Sequence, residues 1–86
     1  MYYVYLLVSE MNGELYIGST NNLKRRLEQH NQGVNMSTKR YIPWKLIYFE
    51  AYIREDSARL REKRLKYHGN AIRELKKRLN LRKVLG

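Results

Sequence analysis

Residues 2–20 read YYVYLLVSEMNGELYIGST, and this stretch decides the fold. Its first part, Tyr2 to Ser9, is rich in tyrosine, valine and leucine, which favour a β-strand. Asn12-Gly13 is a dipeptide that two-residue hairpin turns prefer, and the residues from Glu14 to Gly18 alternate in character like a returning strand. The stretch therefore predicts an antiparallel β-hairpin.

The turn determines how the two strands pair. If Asn12-Gly13 supplies the two turn residues, Ser9 lies opposite Tyr16. Because side chains alternate along a strand, Tyr5 and Tyr16 then project from the same face. In this register the two tyrosines are offset by four residues, about 13 Å along the strands, and a bulge near the turn would bring them closer.

The remainder of the chain predicts three helices and one further strand. In chain order these are a helix capped within Thr20–Asn22 that runs to about His30, a strand over Lys45–Tyr52 after Pro43, a helix capped by Asp56 or Ser57 that runs to about Tyr67, and an amphipathic helix after His68-Gly69-Asn70. We expect one α/β domain over residues 1–86, with the order β-β-α-β-α-α. Helices flank its three-stranded sheet, because so small a sheet needs them for stability.

The charge of the chain is strongly asymmetric. Lysine and arginine total 18 against 8 acidic residues, a net charge of +10. Residues 1–56 hold 7 basic and 6 acidic residues, whereas residues 57–86 hold 11 basic and 2 acidic ones. A localised cationic surface of this kind attracts polyphosphate and releases condensed counterions on binding. The pattern favours a nucleic-acid partner over a membrane surface.

Composition excludes several classes of site. The chain has no cysteine, so it has neither a disulfide framework nor a thiolate zinc site. Its glycines are too scattered for a phosphate-gripping loop. The apolar start, Met1 to Val8, lacks the basic region of a signal peptide and is too short to span a bilayer. We expect a soluble, cytoplasmic protein that does not bind membranes.

Two polar residues lie on the inward stripe of the first predicted helix. Leu23, Arg26, Leu27 and His30 follow the spacing of a single helix face, which should pack against the sheet. Polar side chains on such a stripe are a local inconsistency of the kind that often marks a functional site. The alternatives are an arginine stem that snorkels at the sheet edge and an ordinary helix-end histidine.

Glu62 is an acid within the basic segment 59–66 and lies near the inward stripe of the second predicted helix. A single carboxylate can hold Mg²⁺ when water and a substrate phosphate complete the coordination shell. The alternative is an i, i+4 ion pair with Lys66. The residue types alone leave both readings open.

Tyr3-Val4-Tyr5, Tyr16-Ile17-Gly18 and Arg26, ten residues after Tyr16, together resemble the GIY-YIG nuclease superfamily. The resemblance covers residues 2 to about 66 and is strongest to small stand-alone bacterial members. It implies a mixed α/β fold that hydrolyses phosphodiester bonds with one divalent ion. Two positions depart from the family pattern, because Tyr3 replaces the first glycine and Val4 replaces the isoleucine.

The resemblance also implies roles for individual residues. Glu62 would hold one Mg²⁺ or Mn²⁺ ion, and Arg26 would stabilise charge on the phosphate in the transition state. Tyr5 and Tyr16 would position and deprotonate the attacking water, with the choice of base left open. The predicted supporting and substrate-binding residues are His30, Gly18, Lys39, Arg40 and Lys66, where Gly18 would let the sugar–phosphate backbone approach the strand.

These features predict a magnesium-dependent DNA endonuclease, with DNA repair or recombination as its setting. An alternative is a nucleic-acid-binding module of the same fold without catalytic activity. A third reading is a structural or ribosome-associated basic protein. Neither the loop Asn31–Trp44 nor the C-terminal tail contains a readable base-recognition motif, so specificity for a DNA target would come from the basic helices or from a protein partner.

Overall fold

The computed structural model describes residues 1–80, and residues 81–86 of the predicted single domain lie outside that part. The order β-β-α-β-α-α predicted from the sequence is confirmed. The elements are β1 (Tyr2–Ser9), β2 (Leu15–Thr20), α1 (Leu23–Asn31), β3 (Trp44–Tyr52), α2 (Glu55–Tyr67) and α3 (Gly69–Leu79), with a short 3₁₀ helix at Lys39–Tyr41. No helix within residues 1–80 is long and apolar enough to cross a membrane.

The three strands form one antiparallel sheet in the order β2-β1-β3. The central position of β1 explains its composition. Neighbouring strands flank it on both sides and helices cover both of its faces, so every residue from Val4 to Ser9 is buried. A strand in this position reads as a continuous apolar run, because both faces of its pleat need apolar side chains.

The hairpin register differs from the predicted one by two residues. Tyr16 lies opposite Leu7, whereas a two-residue turn would have placed it opposite Ser9. The Ser9 backbone N–H donates to the Glu14 carbonyl at 2.8 Å, so four residues form the connection. Gly13 has a φ of 78°, but Asn12 does not adopt the positive φ that the two-residue turn requires. The offset between the two tyrosines is therefore two residues.

Helices cover both faces of the sheet. Helices α2 and α3 pack on the face that carries Val4 and Leu6, while α1 packs on the face that carries Tyr5 and Leu7. The first core is completed mainly by Ala58, Leu65 and Leu75, and the second by Trp44, Leu23, Leu27 and Leu46. Since β2 is an edge strand, side chains from both layers can meet around it.

The helix starts agree with the sequence at α1 and differ at α2. The Asn22 side chain caps α1 by accepting a hydrogen bond from the Arg25 backbone N–H. Asp56 and Ser57 were predicted to cap α2, but both lie inside the helix, and Arg54 occupies the N-cap without a side-chain hydrogen bond. Acidic residues in the first turn stabilise a helix through its dipole, which accounts for Asp56 there.

Candidate active site

Tyr5 and His30 form the buried centre of the site. The Tyr5 hydroxyl lies 2.9 Å from Nε2 of His30, and His30 Nδ1 lies 2.8 Å from the hydroxyl of Thr38. His30 and Thr38 have no exposed surface, and Tyr5 is 3% exposed. The three side chains therefore form a hydrogen-bonded chain from the sheet through α1 to the loop that precedes β3.

The surroundings keep both rings of this chain uncharged. Burial raises the pKa of Tyr5 to about 12, although the neighbouring Arg26 guanidinium lowers it in part. Burial and the positive charge of Arg26 lower the pKa of His30 to about 4. At neutral pH, His30 is a neutral imidazole that donates from one ring nitrogen and accepts at the other. Tyr5 remains a phenol.

Tyr16 lies beside this chain but nearer to solvent. Its ring centroid is 4.9 Å from that of His30 and 6.3 Å from that of Tyr5. The ring also packs at 6.2 Å against Trp44, and the Lys66 ammonium lies 5.9 Å from its centroid on another side. Tyr16 is only partly buried. Tyr16 is thus the more accessible of the two tyrosines and lies next to a cation.

Glu62 reaches the edge of β2 from the opposite layer. One carboxylate oxygen accepts a hydrogen bond from the Ser19 hydroxyl at 2.6 Å, and the other accepts from Lys66 at 2.7 Å. Burial lowers the pKa of Lys66, but Glu62 more than offsets this, and the net shift of the pKa is upward. The i, i+4 ion pair left open by the sequence is therefore present, and it directs Lys66 toward Tyr16.

Arg26 projects from α1 toward the same region. It is half-buried, and its Nη1 donates to the side chain of Gln29 at 3.0 Å. Its guanidinium is close enough to Tyr5 and His30 to influence the pKa of both. The inward position predicted for this arginine is observed, and its remaining N–H donors can contact a bound anion.

Position 18 requires glycine for a structural reason that the sequence did not reveal. We expected its missing side chain to leave room for a sugar–phosphate backbone. The space on that side is instead filled by the protein, because a Cβ at this position would collide with the Tyr5 ring and hydroxyl. Glycine at position 18 allows the Tyr5 ring to lie across β2.

Lys39 and Arg40 form part of the 3₁₀ helix and are exposed. With Met36, Ser37 and Tyr41 they line a shallow surface cleft. The hydrogen bonds of the site reach this segment only through Thr38, which precedes Lys39. The two basic residues are therefore on the surface beside the buried chain, and a role in binding DNA remains a prediction.

Sequence reasoning missed two residues of the site. Ser19 orients Glu62 and Thr38 orients His30, each through a side-chain hydroxyl. Strand alternation could have placed Ser19 on the face of Ile17, opposite to Tyr16. No local signal distinguishes Thr38 from the other polar residues of its loop.

The family model for the GIY-YIG catalytic domain matches residues 1–80. The chain belongs to the GIY-YIG family. A UPF0213 protein of Clostridium perfringens is 41% identical over 63 residues, which are 72% of this chain and 67% of the relative. A UPF0213 protein of Streptococcus agalactiae is 43% identical over 51 residues, 58% of this chain and 57% of the relative. This match thus spans less than two thirds of the streptococcal protein. No solved structure matches the chain significantly.

In this GIY-YIG domain, Glu62 fits a metal site built on one carboxylate. Within residues 1–80, no group of three or more His, Asp and Glu side chains could hold a metal ion. A carboxylate has about four lone-pair positions, of which Ser19 and Lys66 use two. The remaining positions could accept one hydrated Mg²⁺, an ion that is commonly bound in proteins through one or two carboxylates together with water and substrate phosphates.

Proposed function

We propose that this GIY-YIG domain is a magnesium-dependent endonuclease that hydrolyses phosphodiester bonds in DNA and acts in repair or recombination. The observation that carries the proposal is the meeting of two layers at the β2 edge. Tyr16 reaches this edge from the α1 face, and Glu62 with Lys66 reaches it from the α2 face. A base, a cation and a carboxylate are thus available to one phosphate.

Tyr16 is the better candidate for the general base. Tyr5 is buried and hydrogen-bonded to His30. Burial raises its pKa to about 12, so the Tyr5 hydroxyl stays protonated at neutral pH. Tyr16 is only partly buried, and the Lys66 ammonium lies 5.9 Å from the centroid of its ring, so a water molecule and a phosphate can both approach it. The Tyr16 phenolate would take a proton from water as the water oxygen bonds to phosphorus and the bond to the leaving sugar oxygen breaks.

Arg26 and Lys66 would stabilise the negative charge that develops on the phosphate oxygens. A guanidinium remains charged at every working pH and matches two phosphate oxygens at once. Preorganised charge of this kind is usually the largest contribution to catalysis of such reactions. Tyr5 and His30 are positioning residues in this scheme, because their chain fixes α1 and the Tyr16 ring relative to the sheet.

Glu62 would hold one Mg²⁺ or Mn²⁺ ion, oriented by its hydrogen bond from Ser19. When bound, the ion supplies a Lewis acid that neutralises charge on the phosphate and on the leaving oxygen. Lys66 donates to the other carboxylate oxygen, so its ammonium lies beside the proposed metal ligand and would contribute positive charge toward the substrate phosphate.

The exposed lysines and arginines of α2 and α3 would bind the DNA backbone. Lys63, Arg64, Lys76 and Arg78 are exposed. Contacts of lysine and arginine with phosphates position a protein on DNA without reading its sequence. Binding should therefore weaken steeply as the salt concentration rises.

The test is cleavage of branched, nicked and linear DNA by wild type and Glu62→Ala with Mg²⁺ and with EDTA. The matched control is Glu74→Ala, which removes an exposed acid from α3. We expect cleavage by wild type and Glu74→Ala in Mg²⁺ only, and a loss of at least 100-fold in Glu62→Ala. If wild type cuts none of the substrates over a broad range of conditions, the proposal fails.

One observation favours the alternative of an inactive DNA-binding module. Both carboxylate oxygens of Glu62 already have protein partners, which is what a purely structural ion pair requires. Under that reading, Glu62→Ala would bind DNA slightly more tightly, and Mg²⁺ would change nothing. The same set of variants therefore separates the two functions when DNA affinity is measured beside cleavage.

A further inference from the structure

Two aromatic side chains outside both apolar cores form a pair on the sheet. The rings of Tyr3 and Phe49 meet edge to face, with centroids 6.0 Å apart and an interplanar angle of 71°. Phe49 is 49% exposed and Tyr3 is half-buried. Neither ring packs into the two cores of residues 1–80. Core packing therefore does not account for this pair, although it accounts for most strand aromatics.

Strand pairing places this aromatic pair beside Tyr5, with Phe49 on the strand that flanks β1 opposite to β2. Phe49 lies directly opposite Tyr5 in the β1–β3 register, and Tyr3 precedes Tyr5 by two residues on the same face. Two residues along a strand span about 7 Å, which one nucleotide can bridge. The Tyr5 ring turns toward Gly18 on β2, whereas the Tyr3 ring turns toward Phe49 on β3.

Helix α1 covers only part of this sheet face. Leu23 and Leu27 of α1 pack with Trp44 and Leu46, at the start of β3. Phe49 lies further along β3, where a shallow depression lined by Leu46, Ile47, Tyr48 and Phe49 follows the strand edge. The exposed Phe49 ring and this depression therefore form an open surface at the β3 edge of the sheet, beside the buried Tyr5 ring.

We propose that Tyr3 and Phe49 form a stacking platform for an unpaired nucleobase of the DNA strand that enters the site. This inference rests on the proposed function and specifies its substrate class, which is DNA with unpaired bases next to the scissile phosphate. Aromatic side chains on an open sheet stack bases of any sequence, since every base has a π-face. The backbone of the stacked nucleotide lies toward Tyr5, where Arg26 supplies positive charge.

A nucleobase fits this surface better than a protein does. A stable protein interface buries about 1,200–2,000 Å² in total, whereas this surface rests on two rings beside a charged site. A second copy of the chain would bring together two molecules that each carry a net charge of +10. A polyanion that presents flat apolar rings complements both the charge and the aromatic surface.

The test compares two single strands of eight nucleotides in EDTA, so that binding is measured without cleavage. One is oligothymidine, and the other has abasic spacers in place of its four central thymidines. Their dissociation constants are measured by fluorescence anisotropy for wild type, Tyr3→Leu, Phe49→Leu and Phe49→Trp. Leu60→Ala is the control, because Leu60 is a similarly exposed apolar residue on α2.

We expect wild type to bind oligothymidine about tenfold more tightly than the abasic strand, as stacking of one base would give. Tyr3→Leu and Phe49→Leu should reduce this ratio to about twofold, and their thermal unfolding should show that they remain folded. Phe49→Trp and Leu60→Ala should keep the wild-type ratio. Equal binding of the two strands by wild type would overturn the platform. A fall of the ratio to about twofold in Leu60→Ala would also overturn it.

The outcome is independent of catalysis. If the ratio behaves as expected but no DNA is cut, the platform stands and the endonuclease proposal falls. If DNA is cut and wild type does not distinguish the two strands, the platform alone falls. A sedimentation coefficient that rises with protein concentration in wild type but not in Phe49→Leu would show that a second copy covers the surface, which would also overturn the platform.

Discussion

The hydroxyl of Tyr5 and the imidazole of His30 form a hydrogen bond of 2.9 Å that is closed to solvent. The two residues are 25 positions apart in the chain, on the central strand and on the last turn of α1. Their bond joins the middle of the sheet to the helix that carries Arg26. This buried contact therefore helps to fix α1, and with it Arg26, against the sheet.

Replacing His30 by leucine should destabilise the fold by about 2–4 kcal/mol, because the buried hydroxyls of Tyr5 and Thr38 both lose a partner. The free energy of unfolding in urea measures the effect. His68→Leu is the control, since His68 is exposed and should change stability by about 0.5 kcal/mol or less. Equal losses in the two variants would contradict the role of the buried chain.

Acid should destabilise the protein through His30. Its pKa in the folded state is about 4, below the ordinary value of 6.5, so the unfolded chain takes up the proton first. The stabilising contribution is fully present above pH 6.5 and is lost as the pH falls toward 4, by up to about 3 kcal/mol. NMR titration of the His30 ring protons in the folded protein should give a midpoint near 4. A midpoint near the ordinary histidine value of 6.5 would rule the effect out.

The two tyrosines should respond differently to loss of their hydroxyls. Tyr16→Phe should lower the cleavage rate at least 100-fold with unchanged DNA affinity and stability, as expected for a general base. Tyr5→Phe removes the bond to His30 and should cost about 1 kcal/mol of stability, with the smaller effect on cleavage. Single-turnover cleavage, anisotropy and urea unfolding give the three readouts. The reverse order of the two rates would make Tyr5 the base.

Gly18→Ala should destabilise the fold by about 1–3 kcal/mol, because the new methyl group meets the Tyr5 ring in a closely packed core. Gly69→Ala is the control, since a Cβ there meets only the far end of the Arg73 side chain. Thermal unfolding of both variants measures the difference. An unchanged melting temperature in Gly18→Ala would show that Tyr5 can move aside without cost.

The alternation of side chains along a strand made part of the site predictable from sequence. Any hairpin register shifted by two residues keeps Tyr5 and Tyr16 on the same face, so their shared face did not depend on the turn. Their distance did depend on it. The turn is held by Ser9, whose side chain accepts from the backbone N–H groups of Met11 and Asn12 and donates to the carbonyl of Tyr41. That last contact spans 32 residues and has no local sequence signal.

Periodicity also predicted the inward positions of Arg26 and Glu62, but not their partners. A helix pattern gives the face on which a residue lies, and only the packed structure shows which strand meets it. Glu62 contacts Ser19 across 43 positions, and His30 contacts Thr38 in a loop without regular spacing. The fold was therefore more predictable than the contacts that orient the candidate site.

The position of the candidate site at an edge strand has a consequence for the newly made chain. Tyr16 and Arg26 leave the ribosome well before Glu62 and Lys66, and the latter pair reaches β2 only from the opposite layer. A partly synthesised or half-folded chain therefore holds only part of the constellation. In the proposed mechanism, cutting therefore requires α2 to be folded against β2, and local unfolding of α2 removes both Glu62 and Lys66 from the site.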